Sequence, residues 1–371
     1  MSKRFKGQEN FEHGRPGGVG ILVVNLGTPD APTPAAVRKY LAEFLSDKRV
    51  VEIPQFIWKI ILHGIVLRVR PKKSAKAYQR VWSDEGSPLM AGTAGLTRKI
   101  DEQMKARYGE MVTTVVAMRY GNPSIQQGLE QLQAKGVGRI IVLPLYPQYS
   151  GATTGTVADE VFKQLMRWRW IPELHLMGAY HDDPSYIKAV ADSVRQHWQE
   201  KGASDKLLIS FHGMPKATLI DGDPYFCQCH KTSRLIAEEL QLTSEQWEMA
   251  FQSRFGAAEW LKPYAAERWL KLPQEGVKNL TVVCPGFSID CLETIDEIAN
   301  EGKEDFIKAG GEHFEYVPCL NDSPGQVELM MKLLTSLISG WPKMDSNNDA
   351  EKIRKEMGES LELARAAGAS K

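Results

Sequence analysis

The chain has 371 residues, enough for one large domain or two ordinary ones at about 150 residues each. Its hydrophobic fraction of 43% supports a sizeable core, and 46 Lys and Arg balance 46 Asp and Glu, so no global field favours nucleic acid or another polyanion. No run approaches the roughly 18 apolar residues that a membrane span requires, and the polar amino terminus lacks the apolar stretch of a secretory signal. The odd set Cys227, Cys229, Cys284, Cys291 and Cys319 reads as free thiols in a reducing compartment, so a cytoplasmic location is expected.

Along the chain, "GGVG" at 17–20 precedes a strand, whereas a dinucleotide fingerprint must follow one. "ILVVN" (21–25) reads as that strand. "TPAAVRKYLAEFLSD" follows as an amphipathic helix with Thr33 as N-cap and Pro34 at its first position. Residues 50–88 are apolar first (Ile53, Phe56, Ile57, Trp58, Ile60, Ile61, Leu62) and basic second (Arg68, Arg70, Lys72, Lys73, Lys76). Such a segment suits a membrane surface or the rim of a pocket for a large apolar anion, and equally a core helix with a solvated basic end. "TTVVAM" (113–118), "RIIVLP" (139–144) and "ELHLMG" (173–178) read as strands. "SGATTGT" (150–156) opens a helix after a strand, so its N–H groups could meet an anion, but it lacks the Gly-Lys-Ser/Thr ending of a nucleotide loop. "LLISF" (207–211), "EMAFQ" (248–252), "LTVVC" (280–284) and "FEYV" (314–317) are further strands. Runs apolar on both faces and separated by helices predict α/β architecture with parallel sheets covered on each side.

The chain also repeats itself. "ILVVNLGTP" aligns with "LLISFHGMP", "MRYGNPS" with "SRFGAAE", and "GVGRIIVLPLYP" with "GVKNLTVVCPGF", in the same order. We therefore expect two similar Rossmann-like domains with a cleft between them. The first would span 18–183, with an insertion near 50–88, and the second 184–340. A charged tail, loosely helical or mobile, would follow over 341–371.

Two features carry chemistry. His212 closes the strand "LLISF" at its carboxyl end, where open α/β sheets place ligands, although a histidine there can also be mere filler. After "LTVVC", Asp290, Glu293 and Glu297 recur at spacings of three and four and would share one helical face. Acidic residues also favour any helix start, so the row alone does not establish function. An imidazole and a carboxylate facing across a cleft can bind a borderline divalent metal or relay protons. From the first half, Arg119, Tyr120, Tyr146 and Tyr149 stand at strand ends, a set suited to a flat, apolar ligand bearing carboxylates.

"SFHGMP" resembles the Ser-x-His-x-x-Pro segment of the ferrochelatases, and "CPGFSIDCLETIDE" is similar to their acidic strand-to-helix motif. "VNLGTP", "MRYGNP" and "YPQYSGATTG" resemble three further family segments in the same order, over roughly residues 18–340. The resemblance implies a lyase that forms nitrogen–metal bonds, inserting ferrous iron into protoporphyrin IX to give protoheme, the last step of heme biosynthesis. Carried over, His212 and Glu293 would be the essential pair at the metal and proton-transfer centre. Whether the histidine takes pyrrole protons or receives the metal stays open. Asp290 and Glu297 would extend the pair into a path for metal or protons. Arg119 and Tyr149 would line the opposite side of the macrocycle, Arg70 and Ser87 would meet propionates, and Leu26 would occupy a pocket position without an axial ligand. Iron would enter as substrate, with no permanently bound cofactor. The "CQC" at 227–229 lacks the spacing of an iron–sulphur site, which is not expected, and Cys291 stands where some relatives have His. Expected partners are protoporphyrin IX and ferrous iron, no nucleic acid, and the inner membrane surface through residues 50–76. The alternatives are a non-catalytic tetrapyrrole or metal-binding protein, and a chelatase for another metal or porphyrin.

Overall fold

A computed structural model describes residues 4–7, 11, 13, 17–339 and 350–369. Among the described residues the strand pattern resolves into eight strands in two parallel sheets. The first comprises β1 (Gly18–Thr28), β2 (Val112–Gly121), β3 (Val137–Pro144) and β4 (Glu173–Leu176), in spatial order β2-β1-β3-β4. The second comprises β5 (Lys206–His212), β6 (Trp247–Gln252), β7 (Asn279–Val283) and β8 (His313–Val317), in order β6-β5-β7-β8. The first strand of each set is thus central, flanked by the second and third. The central strands β1 and β5 are buried along nearly their whole length, which explains why they read as continuous apolar runs.

Between β1 and β2 the chain builds α1 (Pro34–Leu45), α2 (Gln55–Ile61), a π-helical turn (Leu62–Val66), α3 (Leu67–Val81) and α4 (Pro88–Tyr108). Thr33 caps α1 through Ala36 N–H, with Pro34 inside the first turn, as its sequence predicts. Between β5 and β6 stand the helices Lys216–Ile220 and Tyr225–Glu239, so the first half carries the additional material. That material has its own core: Tyr40, Leu41, Trp58, Leu62, Leu67 and Tyr78 cluster together, and Trp58 Nε1 donates to Leu45 O at 2.5 Å.

Its outer face is not covered. Phe56 and Ile60 are each 73% exposed, Ile65 and Val69 are also exposed, and Arg68, Arg70, Lys72, Lys73 and Lys76 stand out beside them. The segment is therefore core on one face and exposed on the other: Trp58 and Leu62 are buried, whereas Phe56 and Ile60 are surface.

The two sheets share one core. Val19, Ile21 and Val23 of β1, Leu96 and Ile100 of α4, Leu207 and Ile209 of β5, and Val327 and Leu334 of the helix Pro324–Ile338 belong to a single buried cluster. That last helix packs against both α4 and the helix Pro184–Lys201. Of the tail, residues 341–349 lie outside the described residues, and Ala350–Ala366 form a helix.

Candidate active site

His212 ends β5 opposite Gln252 of β6. The next residue must be glycine: a Cβ on Gly213 would lie 2.7 Å from Gln252 O and 3.0 Å from the Trp260 ring. Gly213 N donates to Gln252 O at 2.7 Å, and Tyr225 Oη donates to His212 O at 3.0 Å, so the strand end is held on both sides. The imidazole Nδ1 lies 2.6 Å from Gly213 O. A carbonyl only accepts, so Nδ1 carries a proton, and in the neutral ring the lone pair therefore stands on Nε2. The Phe287 ring, 6.5 Å away centre to centre, tilts against the imidazole.

Beyond β7 the chain enters a three-residue helix, Leu292–Thr294, and then a π-helix, Ile295–Gly302. Glu293 and Glu297 are both half-buried. Burial pushes the Glu297 carboxyl above the usual carboxylate range. Hydrogen bonds from Ser253 and the charge of His212 oppose that rise, and the charge of Glu293 adds to it. Glu297 thus feels the charges of both His212 and Glu293. Ser253 N donates to Glu297 Oε1 at 2.6 Å, and Ser253 Oγ donates to Oε2.

Asp290 is committed elsewhere. Its carboxylate accepts from Tyr316 Oη at 2.5 Å, Thr294 Oγ1 at 3.0 Å, Cys319 N at 3.3 Å and Asn321 Nδ2 at 2.7 Å. Those bonds tie the turn before the helix to the helix itself, to β8 and to the residues following β8. The row read at α-helical spacing therefore divides: Asp290 precedes the helix and has four donors, while Glu297 faces Ser253.

The first half contributes tyrosines. Tyr40 of α1 and Tyr78 of α3 are buried, and burial pushes both phenols well above their ordinary range; the Glu293 charge adds to the rise in each. Tyr40 also feels Tyr120, in β2, and Tyr146, two residues beyond β3. Tyr146 is buried with its hydroxyl unpartnered among the described residues. Leu26, at the end of β1, packs against the central core, the outer core of the first sheet and the cluster under α1 to α3.

Arg119 is held tightly: Nη2 pairs with Asp47 Oδ2 at 2.5 Å, Nε donates to Thr156 O at 2.8 Å, and its Cζ lies 4.4 Å from the Tyr120 ring centre. Tyr120 Oη donates to the same Asp47 oxygen at 2.9 Å. Tyr149 is half-buried and its N–H donates to Gln228 Oε1 at 2.7 Å. Ser87 is buried and caps α4, its Oγ accepting from Met90 N at 3.4 Å. Arg70 is exposed, its Cζ 5.2 Å from the ring centre of Phe255, which itself meets Trp260 at 5.1 Å.

The anion cradle expected at "SGATTGT" is filled by the protein's own carboxylate. Asp223 Oδ2 accepts from Gly151 N at 2.7 Å and from Ser150 Oγ at 3.2 Å. Burial pushes the thiols of Cys229, Cys284, Cys291 and Cys319 well up, so they are neutral thiols; Glu293 adds to the rise at Cys291. Among the described residues no group of three or more His, Cys, Asp or Glu side chains is arranged to hold a metal ion.

Sequence reasoning missed Tyr40, Tyr78, Gln252 and Ser253. The tyrosines sit on amphipathic helices, where an aromatic reads as core. The Gln-Ser pair follows an apolar strand and carries no motif of its own.

Comparison with known proteins places this arrangement. The Ferrochelatase family model matches residues 18–337. The ferrochelatase of Marinobacter nauticus is 49% identical over 366 residues, covering 99% of both chains. That of Thioalkalivibrio sulfidiphilus is 51% identical over 347 residues, 94% of each, and that of Polaromonas sp. is 50% identical over 369 residues, 98% of this chain and 99% of the other. Among solved structures, SirB from Bacillus subtilis with Fe3+ superposes with a TM-score of 0.51 at 13% identity, covering 86% of this chain and 95% of that one. At that identity the likeness concerns the fold: paired parallel sheets of the chelatase type. With a family match across both sheets and relatives near half identity along the full chain, this chain belongs to the ferrochelatase family.

Proposed function

We propose that this protein is an enzyme that inserts ferrous iron into protoporphyrin IX, forming protoheme and releasing two protons, in heme synthesis. The observation that carries the site assignment is the imidazole of His212. Its Nδ1–H is fixed on Gly213 O, which leaves the Nε2 lone pair free beside two half-buried glutamates. Insertion replaces two pyrrole N–H bonds with bonds to iron, so two protons must leave. The Nε2 lone pair can take them one at a time, handing each to a carboxylate whose proton affinity is raised by burial, Glu297, and on to solvent before the next. Glu293, whose charge acts on Glu297, Tyr40 and Tyr78, completes the pair with His212 that would meet metal and protons.

Iron and protoporphyrin are the substrates. Arg70, exposed on the lip, and Ser87, at the start of α4, are our candidates for propionate contacts, and Leu26 for a contact with the macrocycle. Arg119 and Tyr149 would act from the opposite wall, Arg119 through the Asp47–Tyr120 cluster. We assign no resident cofactor. The division into halves at 183/184 and the insertion near 50–88 belong to the same proposal. No described helix is long and apolar enough to cross a membrane. The exposed Phe56, Ile60, Ile65 and Val69 beside five cationic side chains support peripheral contact with an anionic membrane surface through residues 50–76.

The test is anaerobic conversion of protoporphyrin and ferrous iron, followed by absorbance. Turnover supports the proposal. Porphyrin binding without turnover, under conditions where a relative works, would turn the reading to a carrier.

A further inference from the structure

Gln252 and Ser253, consecutive at the end of β6, reach three groups of the proposed centre. Gln252 is 1% exposed and every polar atom of its side chain is paired. Its Nε2 donates to the backbone oxygen of Glu293 at 2.8 Å. Its Oε1 accepts from Ser210 Oγ at 2.8 Å, two residues before His212 on β5, and from Cys284 Sγ at 3.5 Å, after β7. Its backbone oxygen accepts from Gly213 N, directly after His212. Ser253 then leaves the strand at φ 64°, a conformation that costs a non-glycine residue energy. In that conformation its N–H and its hydroxyl address the two oxygens of Glu297.

We infer that Gln252 and Ser253 are positioning residues for iron insertion: one clamps the backbone of Glu293, the other fixes the carboxylate of Glu297, and both are referenced to the strand that ends on His212. This rests on the reading of His212, Glu293 and Glu297 as the insertion centre. The geometry has a clear logic. The π-helix packs on the second sheet through the buried Ile298, and Gln252 and Ser253 add polar ties at the end nearest the histidine; a carboxylate held at both oxygens has one orientation.

Ser253 provides the test, because its two possible roles respond oppositely to glycine and alanine. Ser253→Gly removes the hydroxyl and relieves the φ strain; Ser253→Ala removes the hydroxyl and keeps the strain. In the full-length protein, assayed anaerobically with protoporphyrin and ferrous iron, both variants should lose about tenfold in kcat, as expected for one hydrogen bond to a charged group. The porphyrin KM should stay within about twofold, because the macrocycle contacts are untouched. Thermal stability should fall in the alanine variant and hold or rise in the glycine variant. A wild-type kcat in Ser253→Gly overturns the inference, as does a kcat loss that follows stability, or one accompanied by an equal loss of porphyrin binding. Glu297→Gln separates this from the site reading. If that variant turns over like wild type, the assignment of Glu297 itself fails. If it is impaired while Ser253→Gly is not, only the clamp fails. A second variant, Gln252→Glu, keeps an acceptor for Ser210 but sets an oxygen against Glu293 O, and should lower kcat at unchanged porphyrin KM.

Discussion

Arg80 of α3 and Asp296 of the π-helix form a two-point ion pair that joins the lip of the first half to the helix bearing Glu297. Arg80 Nε meets Oδ1 at 2.7 Å and Nη2 meets Oδ2 at 2.5 Å. Asp296 is nearly buried, its side chain 6% exposed, while that of Arg80 is 50% exposed. Hydrogen bonding to Asp296 raises the guanidinium's proton affinity further.

Because the carboxylate is the buried partner, removing the guanidinium strands a charge. Arg80→Met should cost about 1–2 kcal/mol, less than a fully buried pair because Arg80 faces solvent. The double variant Arg80→Met/Asp296→Asn should recover part of it. Urea unfolding of the three proteins checks this; equal stability of the single variant and wild type would show the pair to be inert.

Gly213 is a second sensitive point. Ala at this position would press its Cβ against Gln252 O, a backbone atom that cannot turn aside. Gly213→Ala should destabilise by about 1–3 kcal/mol and displace His212, lowering turnover. Activity and unfolding measured together check it, and an unchanged protein would show that the close approach is not rigid.

Glu297 makes a pH prediction with a definite sign. Its carboxyl holds its proton more firmly in the folded chain than in the unfolded one, chiefly through burial. The folded state therefore binds more protons between the ordinary glutamate range and the raised value. Its contribution is fully present below the unfolded pKa and is lost as pH rises through the folded one. Subtracting the stability curve of Glu297→Gln from that of the wild type should leave a difference that declines as pH rises across that window. A flat or rising difference would contradict the burial argument.

The exposed lip predicts a membrane effect separable from chemistry. Phe56→Glu and Ile60→Glu alter side chains that make little use of the core, so the fold should be unchanged. Binding to anionic phospholipid vesicles should fall at least tenfold, with turnover on detergent-dispersed porphyrin retained. Cosedimentation with vesicles reads the first and absorbance the second.

Much of this organisation was legible in the sequence where one physical requirement dominated. Strands buried on both faces have to be apolar throughout, and all eight stand where their runs lie. His212 was legible because a strand end followed by glycine and proline is a local signal. The shared face read for Asp290, Glu293 and Glu297 is what differs: three- and four-residue spacing implies a shared face only on an α-helix, and here the helix begins at Leu292 and continues as a π-helix. The cradle at 151–155 could not reveal that its anion is Asp223, 72 residues away in sequence. Tyr40 and Tyr78 meet Glu293 only because the two halves face each other, and Ser253 matters only because of its backbone conformation and the carboxylate opposite. Such contacts are properties of the assembled cleft, not of any segment.

The measurement closest to the central claim is anaerobic iron insertion by the wild type and by His212→Ala, with porphyrin binding and folding checked in the same samples. Turnover by the wild type is expected, with its loss in a variant that still folds and still binds protoporphyrin, because the imidazole is the base proposed to take the pyrrole protons. Equal turnover by His212→Ala would contradict it and remove the imidazole from the centre of the reaction.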